Sequence, residues 1–520
     1  MEGKKNVMER FDVIIIGSGL GGLECGFILA KNGMKVCVLE QDAQVGGCLR
    51  TFRRGNMLFD TGFHYVGGLN PGQSLHPFFQ YFGLLDLPWH RLDETGFDEV
   101  VIGDQSWLIA NGHERFTETL AQSFPHQHQH LKNYSAFLKN VGDHLMDAFT
   151  QHNKDELFTT SLFNRSAYEF LNETIDDPLL RKVLSGASLK MELNADKLPL
   201  YIFAQINNSF IESAWRLKGG GGQIADKLSQ QIREMGGDIR TRSKVTRLIE
   251  KNGYLSVVEV NENERLSAKW VISNAHPAYT LSLIDETKLL RRIYRKRMAS
   301  LPNTFGMFTA NIRLKHNSLP YKNRNVYIHR DDVDLWRYSQ KDPLSNVLIS
   351  YYLPDANEPY TLSIDLLTPM FWSEVEPWKD KSPGRRGEDY VAFKAAKTEA
   401  CIDFCSHQIP ALRDCIDKVF TSTPLSYHSY TNTVEGSAYG IQKDYNQPMY
   451  TILTPRTPIP NLLLTGQNLN LHGILGVSIT SFFTCAEILG MDTVVKELET
   501  RFIASLQNPL VRGSTSRRLS

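Results

Sequence analysis

The sequence predicts an α/β fold in two parts: a nucleotide-binding domain built on a parallel sheet, and an α+β domain in which a mixed sheet lies under a helical cap. Three observations predict it. A βαβ pattern with a glycine-rich turn occupies residues 11–68, FDVIIIGSGLGGLECGFILAKNGMKVCVLEQDAQVGGCLRTFRRGNMLFDTGFHYVGG. A glycine-poor, helical stretch then reaches to about Ile211, and residues 302–365 are rich in short strand patterns. Glycine-bearing turns at residues 214–250 and 461–489 carry the chain back to the first unit.

Within the first unit, Val13, Ile14, Ile15 and Ile16 form an uninterrupted β-branched run, the pattern of a parallel strand buried on both faces. Gly17, Gly19 and Gly22 supply the G-x-G-x-x-G spacing: the first permits the tight turn, the second lets a pyrophosphate approach the backbone, and the third lets helix pack on strand. Residues 21–32 are predicted helical, with their N-terminal amides and positive dipole end toward the phosphates, and Gly33 ends the helix. Residues 35–39 read as the second strand. Glu40 stands at its carboxyl end, eighteen residues after Gly22, where a carboxylate accepts hydrogen bonds from both ribose hydroxyls. That acid disfavours a 2′-phosphate, so FAD or NAD(H) is expected at this site rather than NADP(H).

Gly46 and Gly47 in GGCLRTF, followed by FDTGFHYVGG at residues 59–68, resemble the second FAD signature of the flavin oxidoreductases that include phytoene desaturases, carotenoid isomerases and amine oxidases. The resemblance is strongest to the all-trans-retinol 13,14-reductase (retinol saturase) group and its bacterial relatives, and it spans nearly the whole chain. It implies a discontinuous FAD-binding Rossmann-like domain at residues 9–90, 214–285 and 421–500. It implies a substrate-binding α+β domain of mixed sheet and helical cap at residues 91–213 and 286–420, and a C-terminal tail at 501–520. FAD contacts are expected at Gly17, Gly19, Leu20, Gly21, Gly22, Glu40, Gln41, Gly46, Gly47 and Arg50, at the backbone of Val245 beside the adenine, and at Gly466, Gln467, Gly476 and Val477. One departure stands out: many desaturases carry arginine directly after the paired glycines, whereas this chain has Cys48, with Arg50 two positions later. The arginine–phosphate contact of that pattern is left open.

Further along, PGQSLHPFFQYFGLLDLPW at residues 71–89 reads either as core or as the wall of a lipid tunnel or a membrane-facing lip. Residues 97–109 alternate like a hairpin, and NGHERFTETLAQSFP leads into a helix. His126, His128 and His130 suggest a metal, but the pattern after them is helical and splays the rings, so solvated first-turn histidines are expected. The tetraglycine Gly219 to Gly222 opens a helix that Gly236 and Gly237 close before a strand at Asp238 to Arg240, and by resemblance it packs beside the flavin. SNAHP at residues 273–277 resembles a loop that returns to the cofactor. Residues 390–409 are predicted helical. Near the end, a short buried strand at Leu462 to Leu464 precedes Gly466 and Gln467, and Gly473 and Gly476 introduce a helix whose N-terminus points into the site.

With 520 residues, 42% hydrophobic and 22% charged, the chain can fill two packed domains. Its formal net charge of zero gives no electrostatic case for nucleic acid. Seven cysteines without a disulfide-scaffold spacing read as reduced thiols of a cytoplasmic protein, and Cys401 with Cys405 as helix packing rather than half a zinc site. No window reaches eighteen uninterrupted apolar residues, and the apolar run after the N-terminal charges is a strand rather than a signal peptide. The arginines of residues 512–520 leave room for peripheral membrane contact, with a solvated terminus the default. The sequence does not specify an oligomeric state.

For the chemistry, the resemblance implies that FAD carries the hard step while the protein sets a carbon–carbon bond of a hydrophobic polyene or isoprenoid against it. No second nicotinamide fingerprint appears, so electrons come from or go to a diffusible partner, NAD(P)H or another carrier. Proton-transfer candidates are His64 and Tyr65, after the second signature, and Glu435 and Tyr439 in the late segment. Retinol-saturase-like reduction is the favoured activity, with carotenoid desaturation or isomerisation as the alternative. From another class, a non-catalytic lipid-binding protein of the GDP-dissociation-inhibitor type is opposed by the intact glycines, Glu40 and the Gly466–Gln467 pair.

Overall fold

The computed structural model describes residues 8–150, 156–187, 189–339, 344–355 and 358–506. Two seven-stranded sheets organise them. In the first, the order is Asp238–Arg240, Val36–Leu39, Glu9–Ile16, Glu264–Ser273, Tyr254–Val260 and Val245–Lys251, and Leu462–Leu464 pairs with the carboxyl end of Glu264–Ser273. The strands 238–240, 36–39, 9–16, 264–273 and 462–464 are parallel, and the other two form an antiparallel meander at the edge. The β-branched run of the first strand now has its reason. Val13 and Ile15 enter one core while Ile14 and Ile16 enter another, so alternation of apolar with polar residues would expose neither face to water and bury charge on one of them.

The helix Leu20–Lys31 begins one residue before the expected start and covers one face of this sheet, packed against the helices Gly222–Glu234 and Gly473–Leu489. A Cβ at Gly22 would overlap the carbonyl oxygen of Gly17, so the helix lies on the strand end at a distance only glycine permits. Glu24, on the same helix, is wholly buried and accepts hydrogen bonds from the hydroxyls of Ser478 (2.6 Å) and Ser481 (2.9 Å). Burial pushes its carboxyl up to about 8, the two hydroxyls opposing. The folded chain therefore holds a proton that the unfolded chain releases near 4.5. The stability this confers is complete below that value and is lost as pH rises through about 8. Between roughly pH 6 and pH 9 the melting temperature of the wild-type protein is expected to fall by several degrees more than that of Glu24→Gln. Parallel thermal-denaturation curves would refute this. Asp60, also pushed up to about 8 by burial, keeps part of the slope in both proteins.

The second sheet runs Ile416–Ser422, Gly306–Leu314, Ser363–Met370, Asn346–Tyr351, Asn325–His329, Asp98–Ile102 and Gln105–Ile109. Its one parallel pair joins Asn325–His329 to Asp98–Ile102, so the sheet is mixed, as expected. Helix Glu388–Ser406 covers one face through Cys401, Ile402 and Cys405. The other face, with Tyr327, Leu348 and Leu367, joins the core shared with the cap helices His113–Ser123, His128–Thr150, Ala167–Thr174, Pro178–Gly186 and Leu200–Glu212. Strand Ile416–Ser422 straddles the expected boundary at residues 420 and 421.

The structure decides several local expectations, some as expected and some otherwise. Segment 71–89 is core: it contains the helix His76–Tyr81, and Phe78, Phe79, Phe82 and Leu84 are fully buried against Phe27 and Phe482. The tetraglycine packs on the loop after Met57–Asp60, with the Gly221 amide donating to Asp60 Oδ1 at 2.7 Å, rather than beside the cofactor site. The closing helix starts at Gly473, which puts Gly476 inside its first turn, against the Leu471 carbonyl. The three histidines are splayed onto separate carboxylates, Asp177, Glu118 and Asp176, and no metal-binding cluster exists among the described residues. All seven cysteines are free. No described helix is long and apolar enough to cross a membrane, and residues 507–520 of the expected tail lie outside the described residues.

Candidate active site

A cavity of about 410 Å³ opens where the first sheet's parallel strands end. Gly17 follows the strand Glu9–Ile16, Glu40 follows Val36–Leu39, Ser243 lies beyond Asp238–Arg240, Asn274 follows Glu264–Ser273, and Gly466 lies beyond Leu462–Leu464; all five line it. Carboxyl ends of parallel strands are where such sheets bind ligands, because the loops there diverge and the helix N-termini point inward. The glycine turns meet backbone to backbone: a Cβ on Gly21 would lie 3.1 Å from Gly466 Cα, and one on Gly47 would lie 3.2 Å from Gly19 Cα. The Gly46 amide donates to the Ser18 carbonyl at 2.9 Å, which fixes the second turn to the first.

Glu40 is buried and holds this cradle together. Its carboxylate accepts from the Ser18 amide (3.0 Å) and hydroxyl (2.5 Å) and from the Asp42 amide (2.9 Å), and is ion-paired with Arg50 Nη2 (3.2 Å). Arg50 also donates from Nη1 to Asp42 and to the Tyr430 carbonyl, each at 2.8 Å, while its Nε is buried without a partner. Cys48 lines the cavity where the resembling pattern has arginine, and burial raises its thiol pKa, so it adds no charge. Leu20, Gln41, Val245, Gln467 and Val477 line the cavity too. Gly22 and Gly476 do not: both serve close backbone packing behind it.

The cavity continues to the apolar face of the second sheet, where Met307, Tyr327, Leu348 and Leu367 form one wall and Ile206 and Phe210 of the cap helix another. His64, Tyr65 and Tyr439 all reach it. Burial, with Arg216 adding to it, pushes His64 down to about 4, so its imidazole is neutral near pH 7. Tyr439 donates its hydroxyl to the Leu189 carbonyl at 2.6 Å and lies 4.6 Å from the His472 ring. Glu435 is corrected: it is exposed, on a left-handed backbone (φ 54°), accepts from Asn303 Nδ2 at 3.3 Å, and is absent from the cavity wall.

Sequence reasoning missed the polar group at the apolar end. Lys190 Nζ donates to Asp98 Oδ2 at 2.8 Å, and Tyr65 donates to the same oxygen at 3.0 Å. The Tyr65 hydroxyl is also 2.6 Å from that of Tyr327, and Asn325 donates to Asp98 Oδ1 at 2.9 Å. Lys190 lies on a turn after the helix Pro178–Gly186, its only local signal being a lone cation between Leu189 and Met191.

Residues 20–314 match the family described as "Flavin containing amine oxidoreductase". The all-trans-retinol 13,14-reductase of Danio rerio is 27% identical over 532 residues, covering 93% of this chain and 86% of that protein. The prolycopene isomerase of Daucus carota is 23% identical, covering 83% and 72%. Among solved structures, putrescine oxidase bound to putrescine superposes with a TM-score of 0.61 at 15% identity, covering 92% of this chain and 99% of that one, which establishes the fold. A non-catalytic lipid carrier is set aside by the family match, which brings with it FAD as cofactor. With more than half of its length matched and a glycine cradle at the carboxyl ends of its parallel strands, the chain belongs to the family of flavin containing amine oxidoreductases.

Proposed function

We propose that this flavoenzyme adds two hydrogens across a carbon–carbon double bond of a hydrophobic polyene or isoprenoid, as the name of its retinol reductase relatives describes for them. The observation that carries the reading is the single cavity that joins a nucleotide cradle on one sheet to an apolar wall on another. Only a substrate with a long apolar face repays burial there. Lys190, the cation at the apolar end, argues for an uncharged substrate over a protonated amine, which would meet like charge.

In this reading Gly17, Gly19, Leu20 and Gly21 hold the pyrophosphate with the amides of their helix start, and Gly46, Gly47, Gly466, Gln467 and Val477 close over the cofactor. Val245 meets the adenine. A ribose diol takes Glu40 by displacing Arg50, the longest of that carboxylate's four contacts, and frees a guanidinium whose Nε already lacks a partner. Bound FAD supplies or accepts the hydride. The chain's own part is to orient the polyene, exclude water and manage the proton. Residues 9–90, 214–285 and 421–500 are the cofactor domain of this proposal, and residues 91–213 and 286–420 the substrate domain.

The test is anaerobic: the photoreduced flavoprotein is mixed with retinol or a carotenoid and the polyene absorbance is followed. Loss of conjugation is the expected result. A red shift with an added oxidant would replace reduction by desaturation, and no change with any polyene would remove the substrate assignment.

A further inference from the structure

We propose that Lys190 gives the proton that completes reduction of the double bond, with Asp98 as its positioning residue. The inference rests on the reading above, and names the acid that reading requires.

Saturating an alkene breaks the π bond and makes two C–H bonds. One carbon takes the hydride that the reduced flavin supplies, with its electron pair; the neighbouring carbon takes a proton, for which an N–H or O–H bond must break. The wall carries several such bonds, most of them committed or on groups neutral near pH 7: Tyr427 donates its hydroxyl to the Thr61 carbonyl, and burial lowers His276 and His472 to about 4. His64 is neutral near pH 7, and Tyr439 has committed its proton to the Leu189 carbonyl. Glu435 is outside the cavity. Tyr65 gives its proton to Asp98.

Lys190 remains. Its ammonium carries three protons and spends one on Asp98 Oδ2; Nζ lies 4.6 Å from the centre of the Phe210 ring and 5.7 Å from those of Tyr65 and Tyr327, all three, like Lys190 itself, on the cavity wall. The lysine side chain is 5% exposed and that of Asp98 0%, so the pair is removed from water and its geometry is fixed by packing. Burial lowers the ammonium pKa while the Asp98 carboxylate at 2.8 Å opposes, which makes this lysine a better acid than one in water. Asp98 is saturated by Lys190, Tyr65 and Asn325, so it holds the ammonium in place without reaching the cavity itself. When Lys190 has given its proton, the neutral amine stays hydrogen-bonded to Asp98 and takes its next proton from water once the product has left the cavity. The other groups facing this site are the His472 imidazole, which meets the Lys190 carbonyl, and Arg216, held on Asn325.

The experiment compares wild type, Lys190→Met, Lys190→Arg and Asp98→Asn as FAD-loaded proteins. Flavin content and polyene affinity, read by tryptophan quenching, are expected to stay within about threefold for both lysine variants, while reduction falls by about 100-fold or more. Arginine restores the charge and the pair with Asp98 but does not release a proton near neutral pH, so it is expected to rescue nothing. In wild type the rate falls at high pH as Lys190 loses its proton; Asp98→Asn removes the carboxylate that favours the ammonium and is expected to move that limb to lower pH. Rescue by arginine, a near-normal rate in Lys190→Met, or a loss confined to polyene affinity would each overturn the proposal. A wild-type protein that reduces no polyene would overturn the reading beneath it, and is told apart from these because the other outcomes require an active wild type.

Discussion

Gly22→Ala is expected to yield a protein that retains no FAD after purification. The added methyl group would overlap the carbonyl oxygen of Gly17, and both partners are backbone, so no side chain can swing aside. Relief comes only from moving the N-terminus of Leu20–Lys31 away from the strand end. Overpacking of this kind costs about 1–3 kcal/mol in side-chain cores, and backbone against backbone belongs at the upper end. If about 3 kcal/mol of that is taken from cofactor binding, affinity falls about 100-fold. The ratio of flavin to protein absorbance checks it, with circular dichroism to show that the chain has folded. Gly103→Asn is the control, since Gly103 has a left-handed backbone (φ 58°) with nothing within 4 Å of an added Cβ. A yellow Gly22→Ala protein at wild-type stoichiometry would mean that the cradle is not where the dinucleotide sits.

Leu367→Trp is expected to do the reverse: full flavin content, with kcat/KM for polyene reduction lowered by about 100-fold or more. Leu367 lies in the strand Ser363–Met370, flanked on both sides by paired strands, and its side chain is on the cavity face while its neighbour Leu366 enters the opposite core. A sheet interior cannot yield sideways, so the larger ring grows into the space the substrate needs. Steady-state kinetics with the flavin spectrum as internal standard decides it. Unchanged turnover would put the polyene somewhere other than against this sheet.

The nucleotide half of the molecule was readable before folding because its determinants are local. Val13 to Ile16, the glycines at 17, 19 and 22 and the acid at 40 all fall within thirty residues, and strand, turn and helix follow from spacing alone. Most strands of the second sheet were legible for the same reason, from their β-branched and aromatic runs, whereas the edge strand Ile416–Ser422 was not. Expectations that depended on distant partners fared worse. The tetraglycine went to Asp60 rather than to the flavin site because its partner, 161 positions away in the chain, is a buried carboxyl that needs its amide. Arg50 sits at the cradle as expected, but its partners Glu40, Asp42 and Tyr430 are a matter of folded geometry. Glu435 had the right chemistry and the right neighbourhood, and a left-handed turn carried it to the surface.

By itself, then, the sequence determined the cofactor class, the order of the elements and the greasy character of the substrate domain, since each is written in contiguous pattern. Tertiary structure alone decided which polar groups face the reacting end. Lys190 and Asp98 are 92 residues apart, and the Tyr65 and Tyr327 hydroxyls 262 apart. Burying a charge is favourable only beside its counter-charge, and no spacing rule says which two residues a mixed sheet and a turn beyond a cap helix will bring within 2.8 Å.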